Sequence, residues 1–218
     1  MKLKPLLLLT LSPLFMQALA DDGRVAARVN GQAISEFRLE RYFTEYLEEQ
    51  GRAVASIRSP QAYRQLRQAA LGELIDKELL WQEAGRRGVI ISDSAVQAQV
   101  EQTRQAFGSP QRFNQRLQDA GFDEHSYADY TRRELAARQV YAQWGQVPAP
   151  TDEQVRAFMD ENRLLITSQN HLQGADVEPL QGLEAARALL GSRQQAQARQ
   201  QALARLRTQG SVERIDAH

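Results

Sequence analysis

Cysteine is absent from this chain of 218 residues. Its absence excludes disulfide bonds, thiol catalysis, zinc knuckles and a lipid anchor attached through a cysteine. The length is sufficient for one large domain or two small ones with a real hydrophobic core. Packing alone must therefore stabilise the fold.

An excess of charge of one sign is also lacking, because 27 lysines and arginines balance 27 aspartates and glutamates. Proteins that bind nucleic acid or anionic membrane surfaces generally carry a basic field. We therefore expect neither kind of partner.

Residues typical of catalytic and metal sites are few. The three histidines, His125, His171 and His218, are scattered, and none has the helical spacing to a pair of carboxylates that a metal site requires. His125 and Asp129 are four residues apart, which we interpret as a solvated pair on a helix surface. The chain has no Gly-x-Ser-x-Gly elbow and no phosphate-binding glycine loop. We predict no catalytic residue, no metal and no cofactor.

The first 20 residues have the pattern of an export signal. Lys2 and Lys4 precede a mostly apolar run over residues 6–16, and a small-x-small cleavage site follows. The residues at this site are Ala18, Leu19, Ala20 and Asp21. A membrane anchor is the alternative, but the run is shorter than the roughly 20 residues that span a bilayer. We expect export, with cleavage after Ala20 and no stable membrane insertion afterwards.

Residues 71–92, LGELIDKELLWQEAGRRGVIIS, predict the second half of a long helix and its end. Apolar side chains recur mostly at three- and four-residue steps, so one face needs partners. Gly88 is the expected left-handed stop.

Upstream, apolar and polar residues alternate over residues 24–34 around the turn Asn30-Gly31. This pattern predicts a β-hairpin, which is too small to be stable alone. Thr151 and Gln154 have the spacing of a capping box.

These features, in this order, resemble the N-terminal chaperone module of the SurA-like periplasmic folding factors. Three motifs carry the resemblance: V-N-G-x-x-I at residues 29–34, L-x-x-L-I-D-x-x-L-L-x-x-E-A at 71–84 and T-D-E-x-V-x-x-F-x-x-E-N at 151–162. It covers residues 24–163 well and 181–216 loosely. The resemblance implies that the exported chain resides in the periplasm.

The chain departs from the family after this module. Full-length relatives insert parvulin-type prolyl isomerase domains here, but residues 164–180 are far fewer than the ~40 that a domain needs. His171 also lacks the A-R-H-I-L setting of that domain. We interpret residues 164–182 as a short linker that replaces it. Residues 183–218 are then a C-terminal helix and strand that pack back on the module of residues 21–163.

Aromatic side chains on the predicted helices are candidates for binding client polypeptides. Tyrosine and tryptophan offer a large contact area, a polar tip and few rotors. For any single aromatic residue, a place in the core is the competing interpretation. The candidates are Tyr42, Phe43, Tyr46, Trp81, Tyr127, Tyr130, Tyr141 and Trp144.

The predicted fold is mainly α, a SurA N-terminal-like helical module with a small β-hairpin that the C-terminal strand, residues 211–215, joins. The resemblance implies a periplasmic, ATP-independent chaperone or dedicated assembly factor, including for outer-membrane proteins. Its partners would be unfolded or extended segments of exported polypeptides. Two alternatives stay open: a peptidyl-prolyl isomerase with reduced activity, and a structural subunit of an envelope complex. A homodimer and a complex with a partner protein are both compatible with the sequence.

Overall fold

The computed structural model describes residues 24–162 and 179–215, and the side chains of residues 24–162 and 182–215. The predicted export signal with its cleavage residues Ala18, Ala20 and Asp21 lies outside the described residues. So do His171, His218 and most of the predicted linker.

Seven α-helices and three short strands make up the described part of the chain, together with one 3-10 turn at Val54–Ser56. In chain order the elements are β1 Val25–Val29, β2 Gln32–Ser35, α1 Glu36–Glu48, α2 Pro60–Arg86, α3 Asp93–Ala106, α4 Pro110–Asp119, α5 Glu124–Trp144, α6 Asp152–Glu161, α7 Pro179–Gln209 and β3 Val212–Arg214. The prediction of a mainly helical fold is confirmed.

The chain divides into two compact units. The first contains the residues up to Val140 together with those from Leu203 onward, and the second contains Tyr141–Ala202. The boundaries expected from the sequence, near residues 163 and 183, stay predictions.

The three strands form one antiparallel sheet in the first unit, in the order β2-β1-β3. The hairpin turns at Asn30 and Gly31, which have φ angles of 51° and 82°. Both residue types tolerate this left-handed conformation better than others, as a two-residue hairpin turn requires. On its other side β1 pairs with β3, with Val29 opposite Val212. The C-terminal strand therefore joins the hairpin, as the sequence predicts.

The apolar stripe of α2 packs on this sheet and on the start of α1. Leu79 is 3% exposed, and Val29 and Ile34 of the sheet are fully buried. The residues of this core, which we call the sheet core, are Ala26, Ala27, Val29, Ile34, Leu39, Leu71, Leu74, Ile75 and Leu79. The burial of this stripe follows from its helical periodicity.

Five of the helices begin at a side-chain N-cap, and the predicted capping box and the predicted stop at Gly88 are present. The side chain of an N-cap serine or threonine accepts a hydrogen bond from the backbone three residues later at five helix starts, and Thr151 and Gln154 complete the capping box. The five N-cap residues are Ser35, Ser59, Ser92, Ser109 and Thr151. Gly88 has a φ of 65° after α2.

An ion pair ties the end of α7 to α2 within the first unit. Asp76 is only 3% exposed. Both of its carboxylate oxygens accept hydrogen bonds from Arg207, one of them from Nε at 2.6 Å. A buried carboxylate needs such charged donors, so this pair helps to fix the helix that leads into β3.

The second unit has a small apolar core of its own. Val155 and Phe158 of α6 pack with Ala186 of α7. Arg187 donates to Asp152 at 2.7 Å, at the start of α6. No helix within the described residues combines the length and apolar character needed to cross a bilayer.

Candidate functional site

The eight candidate aromatic residues occupy different environments. Phe43 is fully buried and Tyr127 is 7% exposed, so both are core residues in this structure. The other six are half-buried: Tyr42, Tyr46, Trp81, Tyr130, Tyr141 and Trp144. Half-buried rings combine a fixed position with a surface that a partner can contact.

Three of these rings line a single cavity in the first unit. Its lining comes from α1, α2 and α5, and we call it the α1–α2–α5 site. The lining residues are Arg38, Arg41, Tyr42, Glu45, Leu74, Lys77, Trp81 and Tyr130. The volume of about 10 Å³ is close to the minimum for one water molecule. The site therefore admits one small polar group and no large side chain.

The other candidates lie elsewhere. Tyr46 packs beside Phe43 and Leu47 in a neighbouring core cluster. Tyr141 and Trp144 belong to the second unit, where their ring centroids are 6.4 Å apart. The structure thus brings together Tyr42, Trp81 and Tyr130 in one cavity.

A chain of aromatic contacts supports the α5 side of the site. The Trp81 and Tyr130 rings meet edge to face, with centroids 5.8 Å apart. Tyr130 contacts Phe122 at 5.3 Å, and Phe122 contacts Tyr127 at 5.7 Å. Ring pairs at these separations contribute about 0.5–1.5 kcal/mol beyond their buried area. The rings are therefore held in place before any partner binds.

Three cations of the cavity lining lie over ring faces. The Arg38 guanidinium lies 4.5 Å from the centroid of Trp81, and the Lys77 ammonium lies 5.0 Å from that of Tyr42. The Arg41 guanidinium lies 4.4 Å from the centroid of Phe122. Sequence reasoning missed these cations, although two spacings could have indicated them. Arg38 and Arg41 are three residues apart on one helix, and Lys77 and Trp81 are four apart on another.

Carboxylates accept hydrogen bonds from most of the side-chain donors around the α1–α2–α5 site. Glu78 accepts from Arg38 Nη1 at 2.8 Å. Glu134 accepts from Trp81 Nε1 at 3.2 Å and from Lys77 at 3.3 Å. The Tyr42 hydroxyl donates to Glu73 at 2.9 Å. Burial and then the neighbouring Glu73 raise the pKa of Tyr42, so its hydroxyl stays protonated and remains a donor.

Two groups of the site are left without a hydrogen-bond partner among the described residues. Arg38 Nη2 is buried and has no acceptor. The Glu45 side chain is half-buried and makes no hydrogen bond or ion pair in the described part of the chain. Burial raises the pKa of Glu45 against the opposing effect of Arg41 and Lys77. Burial also lowers the pKa of Arg41, which donates to the Ala120 carbonyl at 3.0 Å.

Nothing in the described ranges forms a metal site of three or more histidine, aspartate or glutamate side chains. His125 and Asp129 approach to 3.6 Å on the surface of α5, and their side chains are 90% and 56% exposed. Such an exposed pair contributes little to stability.

A family model described as the SurA-like N-terminal domain matches residues 6–141. This match spans more than half of the chain. The chain belongs to the SurA-like N-terminal domain family. The resemblance read from the sequence is thereby confirmed, and membership supports a periplasmic chaperone-type role in general terms.

A solved structure shares the fold. The structure was reported for two structurally related SurA-like chaperones, PEB4 and Cj1289, of the human pathogen Campylobacter jejuni. The TM-score is 0.54 at 10% sequence identity, and the alignment covers 89% of this chain and 100% of the other. At this identity the likeness concerns the fold alone. No curated protein matches the chain.

Proposed function

We propose that this protein is an ATP-independent periplasmic chaperone that holds unfolded or extended segments of exported polypeptides. The observation that carries the proposal is the α1–α2–α5 site, where half-buried Tyr42, Trp81 and Tyr130 are positioned by cations and by each other. Rings that are already ordered lose little entropy when a client contacts them. Family membership supports the same role.

The expected affinity suits capture and release without a nucleotide. Client side chains are too large for the cavity, but each one that becomes buried against the half-buried rings outside it contributes up to about 1.5–3 kcal/mol. Several such contacts, less the cost of ordering the client, give about 8 kcal/mol, which corresponds to micromolar binding. A complex of this strength dissociates readily when the client folds or reaches another acceptor.

Aggregation of an unfolded outer-membrane protein tests the proposal. The client is diluted from urea, and light scattering is followed with and without an excess of this protein. We expect the wild type to suppress scattering and Trp81→Leu to lose most of that effect, because the variant removes one of the three rings. Circular dichroism establishes that the variant is folded.

The matched control is Ile90→Ser, which removes an exposed apolar side chain outside the site. Ile90 is 88% exposed, so the variant should suppress aggregation as well as the wild type does. A wild-type protein that leaves the scattering unchanged would contradict the chaperone role and favour a structural subunit. Equal losses in both variants would show that general surface hydrophobicity, rather than this site, binds the client.

A further inference from the structure

The strand β3 lies at the margin of the sheet, and one of its edges is uncovered. The strand order β2-β1-β3 gives it β1 as its neighbour among the described strands. All three residues of Val212–Arg214 are exposed. The other margin is less open, because β2 leads directly into α1 and three of its four residues are buried or half-buried. An uncovered strand edge is a place where another extended chain can pair.

The hydrogen bonds between β1 and the segment around β3 establish which backbone groups point away from the sheet. The Asn30 N–H donates to the Ser211 carbonyl at 2.8 Å, and the Ile215 N–H donates to the Ala26 carbonyl at 3.0 Å. In an antiparallel ladder, hydrogen-bonded pairs alternate with pairs that make no such bond. Glu213, midway between Ser211 and Ile215, therefore directs its N–H and C=O groups toward β1.

The N–H and C=O groups of Val212 and Arg214 point outward. These two residues lie opposite Val29 and Ala27 in the register, at the positions of the ladder that make no hydrogen bond with β1. In the described part of the chain, no other group bonds to the outward N–H and C=O groups. The edge of β3 thus offers two donors and two acceptors to a new strand.

The side chains of β3 add a charge pattern to this edge. Glu213 and Arg214 make no ion pair or side-chain hydrogen bond with the other described residues, although Arg28 lies opposite Glu213. Val212 and Ile215 are 37% and 39% exposed. A neighbouring strand would therefore meet, in order, an apolar residue, an acid, a base and an apolar residue.

A second copy of β3 does not complement this pattern. The antiparallel register that pairs all three strand residues of two copies places Glu213 opposite Glu213. Like charges directly opposite each other destabilise a strand pair. The complementary strand has an acid opposite Arg214, a base opposite Glu213 and an apolar residue opposite Val212. The charges thus favour a strand from a different chain.

We propose that β3 binds an extended client segment as a fourth, antiparallel strand, and that Glu213 and Arg214 favour segments in which an acidic residue precedes a basic one. The main chain of the segment pairs with Val212 and Arg214, so many sequences can bind, and the charges set the preference among them. The inference rests on the proposed chaperone role for its occupant, but it concerns a surface that shares no residue with the α1–α2–α5 site.

N-methylation of a synthetic peptide tests the strand pairing. The probe is a fluorescein-labelled peptide, Ser-Thr-Val-Glu-Lys-Val-Thr-Ser, whose glutamate and second valine come to lie opposite Arg214 and Val212. Methyl groups on the nitrogens of these two residues remove the N–H groups that face β3. Methyl groups on the first valine and the lysine, whose N–H groups face away, are the matched control. Fluorescence anisotropy with the whole protein should show about tenfold weaker binding of the first methylated peptide, equivalent to about 1.4 kcal/mol, and little change for the control.

A charge exchange tests the preference. A second peptide, in which the glutamate and the lysine are exchanged, should bind about threefold more weakly, because cross-strand charge pairs contribute modestly. The double variant Glu213→Arg with Arg214→Glu reverses both charges of the edge and should prefer the exchanged peptide. Both positions are exposed, so the variant should fold normally. A reversed preference is a result that a merely structural strand would not give.

Proline substitution tests the edge itself. Val212→Pro removes an outward N–H and leaves the hydrogen bonds to β1 in place, so binding should weaken about tenfold while the circular dichroism spectrum stays unchanged. Ala33→Pro is the matched control on the opposite margin. Ala33 lies opposite Arg28 of β1, whose own groups point toward β3, so the Ala33 N–H also points outward. This variant should bind the peptide as the wild type does.

The outcomes separate the two proposals. A wild-type protein that suppresses aggregation but binds both methylated peptides alike overturns strand addition and leaves the chaperone role intact. Equal peptide affinities of Val212→Pro and Ala33→Pro also overturn it. A dimer in sedimentation that Val212→Pro abolishes, together with equal binding of the methylated peptides, would assign the edge to a second copy instead. If no peptide binds and aggregation is not suppressed, both proposals fail.

Discussion

The two sides of α2 make different kinds of contact. On one side Leu71, Ile75 and Leu79 are buried in the sheet core, whose members are all apolar. On the other side Lys77 and Trp81 face α1 and α5 through ion pairs, ring contacts and single hydrogen bonds. Apolar packing depends mainly on volume, whereas polar contacts depend on each donor finding its acceptor. The first side is therefore suited to stability and the second to recognition.

The hydrogen-bonding groups on this second side are also incompletely paired. Arg38 Nη2 lacks an acceptor and Glu45 lacks a donor among the described residues. Groups of this kind reduce the stability of the folded protein, and functional sites are where proteins commonly retain them. The comparison therefore predicts that substitutions on the sheet side lower stability, while some substitutions on the cavity side raise it.

The largest effect is expected from Leu79→Ala. Leu79 is 3% exposed in the sheet core, so the truncation leaves a cavity and lowers the free energy of unfolding by about 2–5 kcal/mol. Urea unfolding followed by helical circular dichroism measures the change. Ile90→Ala, at an 88% exposed position, is the control and should change it by less than about 0.5 kcal/mol. A loss below about 1 kcal/mol for Leu79→Ala would mean that the sheet core is not the main source of stability.

A smaller loss is expected when the chain is ended after Gly210. This removes β3, whose backbone pairs with β1, and the contact of the Ile215 N–H with the Ala26 carbonyl at 3.0 Å. Val212 and Ile215 are 37% and 39% exposed, so both bury more than half of their surface. We expect a loss of about 2 kcal/mol from this apolar burial. Removing only residues 216–218 is the control, and an equal loss there would contradict a structural role for the strand.

Sequence reasoning succeeded where the signals are local. The turn at Asn30-Gly31, the capping box at Thr151 and the apolar stripe of α2 each depend on residues within a few positions of one another. The pairing of β3 could be expected because a two-stranded hairpin needs additional cover.

The candidate site was predicted less completely, because distant residues build it. Trp81 and its acceptor Glu134 are 53 residues apart, and Arg38 and Glu78 are 40 apart. No local pattern specifies such pairs. Phe43 and Tyr130 both lie on helices among apolar and polar neighbours, so the sequence around them does not distinguish a buried ring from a half-buried one. Only the packing of α1 and α5 against their neighbours decides that Phe43 is buried and that Tyr130 keeps an exposed part.

The smallest effect concerns pH, and it compares two carboxylates, one paired with arginines and one without a hydrogen-bond partner among the described residues. Hydrogen bonds from Arg86 lower the pKa of Glu83, against the opposing effect of burial. A lowered pKa means that the folded state favours the ionised form. Glu83 therefore contributes stability above the ordinary glutamate pKa, and this contribution disappears as the pH falls through the lowered value.

The pKa of Glu45 shifts in the opposite direction, because burial raises it despite the nearby Arg41 and Lys77. The folded state then binds the proton more tightly than the unfolded state, so stability decreases as the pH rises from the ordinary glutamate pKa through the raised one. Relative to the wild type, Glu45→Gln should gain stability with rising pH, by on the order of 1 kcal/mol or less. Glu83→Gln should lose stability with rising pH. Urea midpoints of the three proteins between pH 4 and pH 8 measure both trends, and parallel profiles for Glu45→Gln and the wild type would show that ionised Glu45 is already compensated in the free protein.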